Sequence, residues 1–374
     1  MKKLFVIAIF ASLAFQSCND NETTPDNLFK SYDRQGMLRN IGNTIVFSFE
    51  GLNTTTQELS VICKKFSQDP SEANLTEAQS KWKQASAKWQ MCQLYNFGPL
   101  ETLQLYGSID TWPVNTTAIE SALNTSVAID NIFIESKSIQ IKGLKAIEYL
   151  LFNSTQGNAY ILELYKSGSN ASKRKEYLQA LAINLNKKAS TLYDAWKPSG
   201  GNYLQSFINA DGNDVSSSIG LITNAMSLQI DKIKNGKIGN ALGKLNGGVV
   251  DATLIESAES QVSIDNIRNN IISLQNTFQG ITPDGQDLHG FDDLLNHLGA
   301  KYNEKLLSDE IKARFATALA KTAAIQGPLD YAIKNNPQQA DEAYISLKDL
   351  LIVIKADMVN KLGVSLTFVD NDGD

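Results

Sequence analysis

Residues 178–196 read LQALAINLNKKASTLYDAW, and the spacing of their apolar side chains decides the fold. Leu178, Leu181, Leu185, Ala189, Leu192 and Trp196 recur every three or four positions, which lays them along one stripe of an α-helix. Pro198, which has no N–H to donate, and the pair Gly200-Gly201 end it. The same period appears on either side. Trp82, Ala85, Trp89 and Cys92 form a stripe within residues 78–97. Tyr344, Leu347, Leu351, Ile354, Met358 and Leu362 form another, with Gly363 placed as its C′ residue. Narrow stripes on long helices predict antiparallel bundles and an all-α fold. Strand signal is confined to Val364-Ser365-Leu366-Thr367-Phe368.

Gly, Pro and Asn mark the breaks: Phe97-Gly98-Pro99, Thr111-Trp112-Pro113, Ser167-Gly168-Ser169-Asn170 and Thr282-Pro283-Asp284-Gly285. The break at Ser167 divides the expected architecture into a first bundle, 28–166, and a second, 167–374. One short run occurs once in each. Leu144-Lys145-Ala146-Ile147-Glu148-Tyr149-Leu150-Leu151 aligns without gaps on Leu288-His289-Gly290-Phe291-Asp292-Asp293-Leu294-Leu295. Two bundles related by an internal duplication are therefore expected. Asp370, Asp372 and Asp374 lack the later Glu of a calcium loop and read as a hydrated acidic tail.

Residues 1–18 read as a lipoprotein signal peptide. Lys2 and Lys3 precede the apolar run Leu4–Phe15, and Phe15-Gln16-Ser17-Cys18 resembles a lipobox with Phe15 where Leu is usual. Cys18 is the expected lipidation site, each buried methylene contributing about 0.8 kcal/mol to membrane anchoring. Residues 19–27 (NDNETTPDN) read as a flexible tether. The formal net charge of −6 and the lack of a basic patch argue against nucleic acid as a partner. Cys63 and Cys92 could pair in an oxidising compartment; two small buried hydrophobes on neighbouring helices is the preferred reading.

At Gly143-Leu144-Lys145-Ala146-Ile147-Glu148-Tyr149-Leu150-Leu151 the chain resembles the imelysin-like family, whose signature is Gly-x-His-x-x-Glu followed by an aromatic residue and two leucines. Further landmarks follow in order: Trp82 and Trp89, Phe97-Gly98-Pro99, Ile109-Asp110-Thr111-Trp112-Pro113, Glu256-Ser257, Ser263, Phe291-Asp292-Asp293-Leu294-Leu295, and the terminal Gly363–Phe368 with its acidic tail. The similarity covers about residues 40 to 374. It implies two duplicated helical bundles with a functional site near their interface, export to the periplasm or outer membrane, and a part in iron uptake. The family also carries a peptidase label.

Lys145 stands where the signature has His. Positions 145 and 148 share one helix face, so His and Glu there could share a metal. An ammonium has no lone pair to give, and at about 4 Å it repels a cation by roughly 4 kcal/mol per unit charge at an effective dielectric near 20. Lys145 is expected instead to pair with Glu148. The chain's only histidines are His289 and His297, and it contains no His-Glu-x-x-His, Gly-x-Ser-x-Gly or P-loop. His289, Asp292 and Asp293, with Glu148 across an interface, form a candidate ligand set for iron or another divalent metal. The plainer reading is that His289 and Asp292 cap or pair locally while Asp293 is solvated. Trp82, Trp89 and Trp196 read as core. Trp112, in a loop, joins Gly143, Lys145 and Glu148 as a binding candidate. The expected function is that of a non-catalytic lipoprotein of the cell envelope, anchored to the outer membrane by lipid. It would bind a metal, a metal chelate or an envelope iron-uptake protein. A metal-dependent peptidase and a scaffold without small ligand are the alternatives.

Overall fold

The computed structural model describes residues 25–367. Cys18, the greater part of the expected tether and the acidic tail lie outside the described residues. The tether reading fails at its end, because residues 25–27 already belong to helix α1 (Pro25–Ser31), whose Asp26 pairs with Lys30 one turn on at 2.6 Å.

Long helices follow. They are α2 (Arg34–Gln68), α3 (Glu72–Cys92), the short α4 (Gly143–Leu151) and α5 (Ala171–Trp196). Next come α6 (Ser218–Asp231), α7 (Ser263–Gln279), the short α8 (Phe291–His297), α9 (Leu307–Ala323) and α10 (Pro337–Ile352). Asp33 accepts from the Gly36 N–H, and Ser71 from that of Asn74, satisfying donors that the first turns of α2 and α3 leave open. Two helices run on as π-helices: α6 through Lys232–Gly239 and α10 through Val353–Met358. Gly363 closes the last helix in the left-handed conformation, as its position after the stripe predicts.

The three apolar stripes are buried along their lengths, apart from a partly exposed Tyr344. Helices α2, α3 and α5 form one bundle with α4 against them, and α7, α9, α10 and the α6 π-helix form the other. α3 packs on α7 and joins the two, so a single hydrophobic core runs from Phe29 to Val364. The break at Ser167 is not where the bundles part. Trp196 at the end of α5 packs its ring on Phe49 of α2, so α5 belongs to the first bundle. Val364–Thr367 is not a strand. The Thr367 N–H donates to Asn224 of α6, whose amide donates to Ser365 O, so the segment lies along a helix and pairs with no strand among the described residues. The described strands are the two-residue hairpin Lys301–Tyr302 and Lys305–Leu306. Cys63 and Cys92 are free and buried, on α2 and α3.

Candidate functional site

Gly143 opens α4 with φ +76°, and a Cβ there would lie 2.4 Å from the Ile109 carbonyl oxygen. Only glycine permits so close an approach in the left-handed region. It brings the first turn of α4 against Ile109-Asp110, and Trp82 Nε1 donates to the Leu144 carbonyl at 2.8 Å to hold it there. Asp110 is fixed from α3 and the turn after it: Trp89 Nε1 donates to its Oδ2 at 2.9 Å and Gln93 Nε2 at 3.3 Å.

Between these elements lies a buried charge cluster. Lys145 Nζ sits 3.1 Å from Glu256 Oε1 and 3.9 Å from both Asp110 Oδ1 and Glu148 Oε2, and donates to Ser257 Oγ at 2.5 Å. The expected Lys145–Glu148 pair is thus one arm of a larger set. Glu148 Oε1 accepts from the Ser260 N–H at 3.1 Å and hydroxyl at 2.6 Å. On the far side of Glu256, Lys237 Nζ lies 2.9 Å from Oε2 and donates to Gln90 Oε1 and Asn270 Oδ1, each at 2.7 Å. The π-helix presents Lys237, and π-helical turns recur at functional sites. The loop carrying Glu256 is pinned by a short hydrogen bond from Ser263 Oγ to the Glu256 carbonyl. Ser257 there takes φ +57°, a conformation few non-glycine residues adopt.

Three buried carboxylates face two buried ammoniums. Burial holds the Asp110 and Glu148 carboxyls above their ordinary range, against the pull of Lys145. Burial would raise Glu256 too, but Lys145 and Lys237 together overcome it and bring it down to about 2. Burial disfavours the charge on Lys145, yet Asp110, Glu256 and Glu148 hold its pKa above the usual lysine value. For Lys237 burial prevails and the pKa falls.

Trp112, half-buried, forms a wall common to two cavities beside this cluster. One, of about 380 Å³, reaches Lys145, Glu148 and Tyr149. The other, of about 580 Å³, reaches Asp110, Glu256 and Lys237. Trp82, Trp89 and Trp196 are fully buried in the core.

The second-bundle candidates lie among other partners. Asp292 is buried and pairs with Lys312 of α9 at 2.5 Å, and Asp293 accepts from the Gly290 N–H, capping α8 rather than standing solvated. His289 is exposed before α8, its ring edge-on to Tyr32 at 6.1 Å. Neither His289 nor Asp292 contacts the Lys145 cluster. Among the described residues no three His, Cys, Asp or Glu side chains converge as a metal requires, since Asp110, Glu148 and Glu256 converge on Lys145. A bare cation does not fit a centre that an ammonium already fills.

Sequence reasoning gave Asp110, Glu256 and Ser257 no role beyond that of landmarks, and missed Lys237 and Ser260. The available signal was Asp110 and Glu256 among apolar neighbours. Nothing in the run around Lys237 marks it.

The family model described as imelysin, which carries a peptidase label, matches residues 45–354. The chain belongs to the imelysin family. Iron-regulated protein A of Synechococcus elongatus is 22% identical over 297 residues, covering 78% of this chain and 75% of that protein. A crystal structure from Parabacteroides distasonis, described as an iron-regulated protein A precursor, superposes with a TM-score of 0.70 at 19% identity, covering 92% of this chain and 97% of that one. A crystal structure of an imelysin-like protein from Psychrobacter arcticum gives a TM-score of 0.70 at 16% identity, covering 90% of this chain and 97% of that one. In this imelysin Lys145 stands where the sequence resemblance leads one to expect a histidine.

Proposed function

We propose that this imelysin is an outer-membrane lipoprotein that serves iron acquisition by binding a metal chelate or a partner protein, and not by cleaving peptides. One observation carries the reading: Lys145 Nζ occupies the point on which Asp110, Glu148 and Glu256 converge. A lysine there supplies the positive charge that a metal would bring, but no vacant coordination position at which to activate water. The family membership and the iron-regulated relative support the biological setting, and Cys18 supports the anchor.

Calorimetric titration with zinc and with ferrous iron tests the centre. The wild type is expected to bind weakly and Lys145→His more tightly by about tenfold or more, as a charge repulsion of a few kcal/mol is removed. Tight binding by the wild type, lost in Glu148→Ala, would overturn the reading. So would chelator-sensitive cleavage of an unfolded polypeptide that disappears in Glu148→Gln. Membrane partitioning of Cys18→Ser tests the anchor, and partitioning unchanged from wild type would remove it.

A further inference from the structure

The larger cavity beside Trp112 is built from two sides. The turn after α3 and its neighbours give Tyr106, Trp112 and Ile139, the last 45% exposed although apolar. The π-helix gives Lys232 and Lys237. Its volume of about 580 Å³ falls within the roughly 300–1,000 Å³ of small-molecule sites.

Most of the charges around it are matched within the protein. Glu256 and Lys237 pair with each other, and Asp231 holds Lys234 and Asn235. Two are not. Asp110 Oδ1 is buried and accepts no hydrogen bond, Lys145 standing 3.9 Å away, beyond hydrogen-bonding distance. Its other oxygen takes both Trp89 and Gln93. A buried acceptor left open costs about 1–3 kcal/mol, so it calls for a donor from outside. Lys232 is the reverse case. Its ammonium lies 4.9 Å over the Tyr106 ring, pairs with no carboxylate among the described residues, and has Lys237 as its charged neighbour.

A simple anion would satisfy Lys232 but meet Asp110 and Glu256. A simple amine would satisfy Asp110 but meet Lys232, Lys237 and, 3.9 Å from the same oxygen, Lys145. A molecule that carries both charges answers both groups. We propose that this cavity binds a small zwitterion of the α-amino-acid class. Its ammonium donates to Asp110 Oδ1, its carboxylate sits on Lys232, and its side chain lies against Tyr106, Trp112 and Ile139. This rests on the reading that the centre binds rather than cleaves, and names a ligand class for it.

Calorimetric titration of the purified protein with L-phenylalanine and L-leucine tests it. N-acetyl-phenylalanine, which lacks the ammonium, and phenylalaninamide, which lacks the carboxylate, serve as one-charge probes. Both amino acids are expected to bind, and each one-charge probe to bind about tenfold more weakly or worse, as one charge-assisted hydrogen bond is lost. Lys232→Met removes a half-buried side chain whose described contact is a ring face, so the fold is retained. It is expected to weaken phenylalanine about tenfold and to abolish the preference for phenylalanine over phenylalaninamide. No heat with either amino acid, equal binding of the one-charge probes, or an unchanged affinity in Lys232→Met would each overturn the proposal. Those results would leave the metal titration and the cleavage assay as they stand, whereas proteolysis would remove the binding reading whatever the amino acids do.

Discussion

In α4 the residue three before the buried acid is Lys145, 2% exposed and ringed by carboxylates, whereas the aligned residue before α8 is His289, exposed and edge-on to a tyrosine ring. From the third aligned position on, the two runs behave alike: Ala146 and Gly290, Ile147 and Phe291, Glu148 and Asp292, Leu150 and Leu294, Leu151 and Leu295 are all buried. Before it they part, Leu144 being fully buried and Leu288 44% exposed. The cause is where each helix begins. Gly143 starts α4 two residues ahead of Lys145, so the lysine projects from the helix, while α8 begins only at Phe291, after the histidine. The acids differ in their company too. Glu148 lies among four other charged groups, and Asp292 has one lysine that is a third exposed. A shared pattern of apolar residues thus fixes a packing face, and the start of the helix decides which side chains join it.

The contrast is open to attack by substitution. The largest effect is expected from Glu256→Ala, which removes the acid that both buried ammoniums share. The loss should be about 3–5 kcal/mol of unfolding free energy in urea, the usual cost of breaking a buried ion pair. Its pH dependence has a definite sign. The folded pKa of Glu256 is depressed from 4.5 to about 2, so its contribution is present above pH 4.5 and fades as pH falls to about 2. Glu256→Gln should therefore remove that part of the acid limb.

Gly143→Ala should come next, at about 2 kcal/mol or more, since it combines backbone strain with an overlap against the Ile109 carbonyl. If α4 tolerated alanine there, the account of why Lys145 is inside would fail. Asp292→Asn should cost about 1 kcal/mol, because Lys312 can turn to solvent when its partner goes. A loss as large as that of Glu256→Ala would put the two acids on an equal footing. His289→Ala should change stability by less than about 0.5 kcal/mol, as exposed substitutions usually do.

Much of the fold was legible because long stripes record which face of a helix is buried. Trp82, Trp89, Leu181 and Trp196 could be placed inside without knowing what they touch. The bundle boundary was not legible. Ser167–Asn170 is a turn by composition, but whether α5 returns to α2 depends on Phe49 and Trp196, far apart in the chain. The Lys145–Glu148 arm of the cluster was legible because it is local. Glu256, Ser257 and Ser260, more than a hundred residues away, were not, since spacing says nothing about which loop packs over a helix. The tail failed for a related reason. Alternating Val364-Ser365-Leu366 suits a strand, and it was given Asn224 of a helix as its neighbour.

Of the four tryptophans, Trp82, Trp89 and Trp196 are fully buried, and Trp112 alone is half-buried beside both cavities. The molecule therefore carries its own optical gauge. Acrylamide or iodide should quench the emission of one indole and leave three dark to the quencher. That quenchable fraction comes from a ring that lines both cavities, so its spectrum reports on whatever enters either chamber.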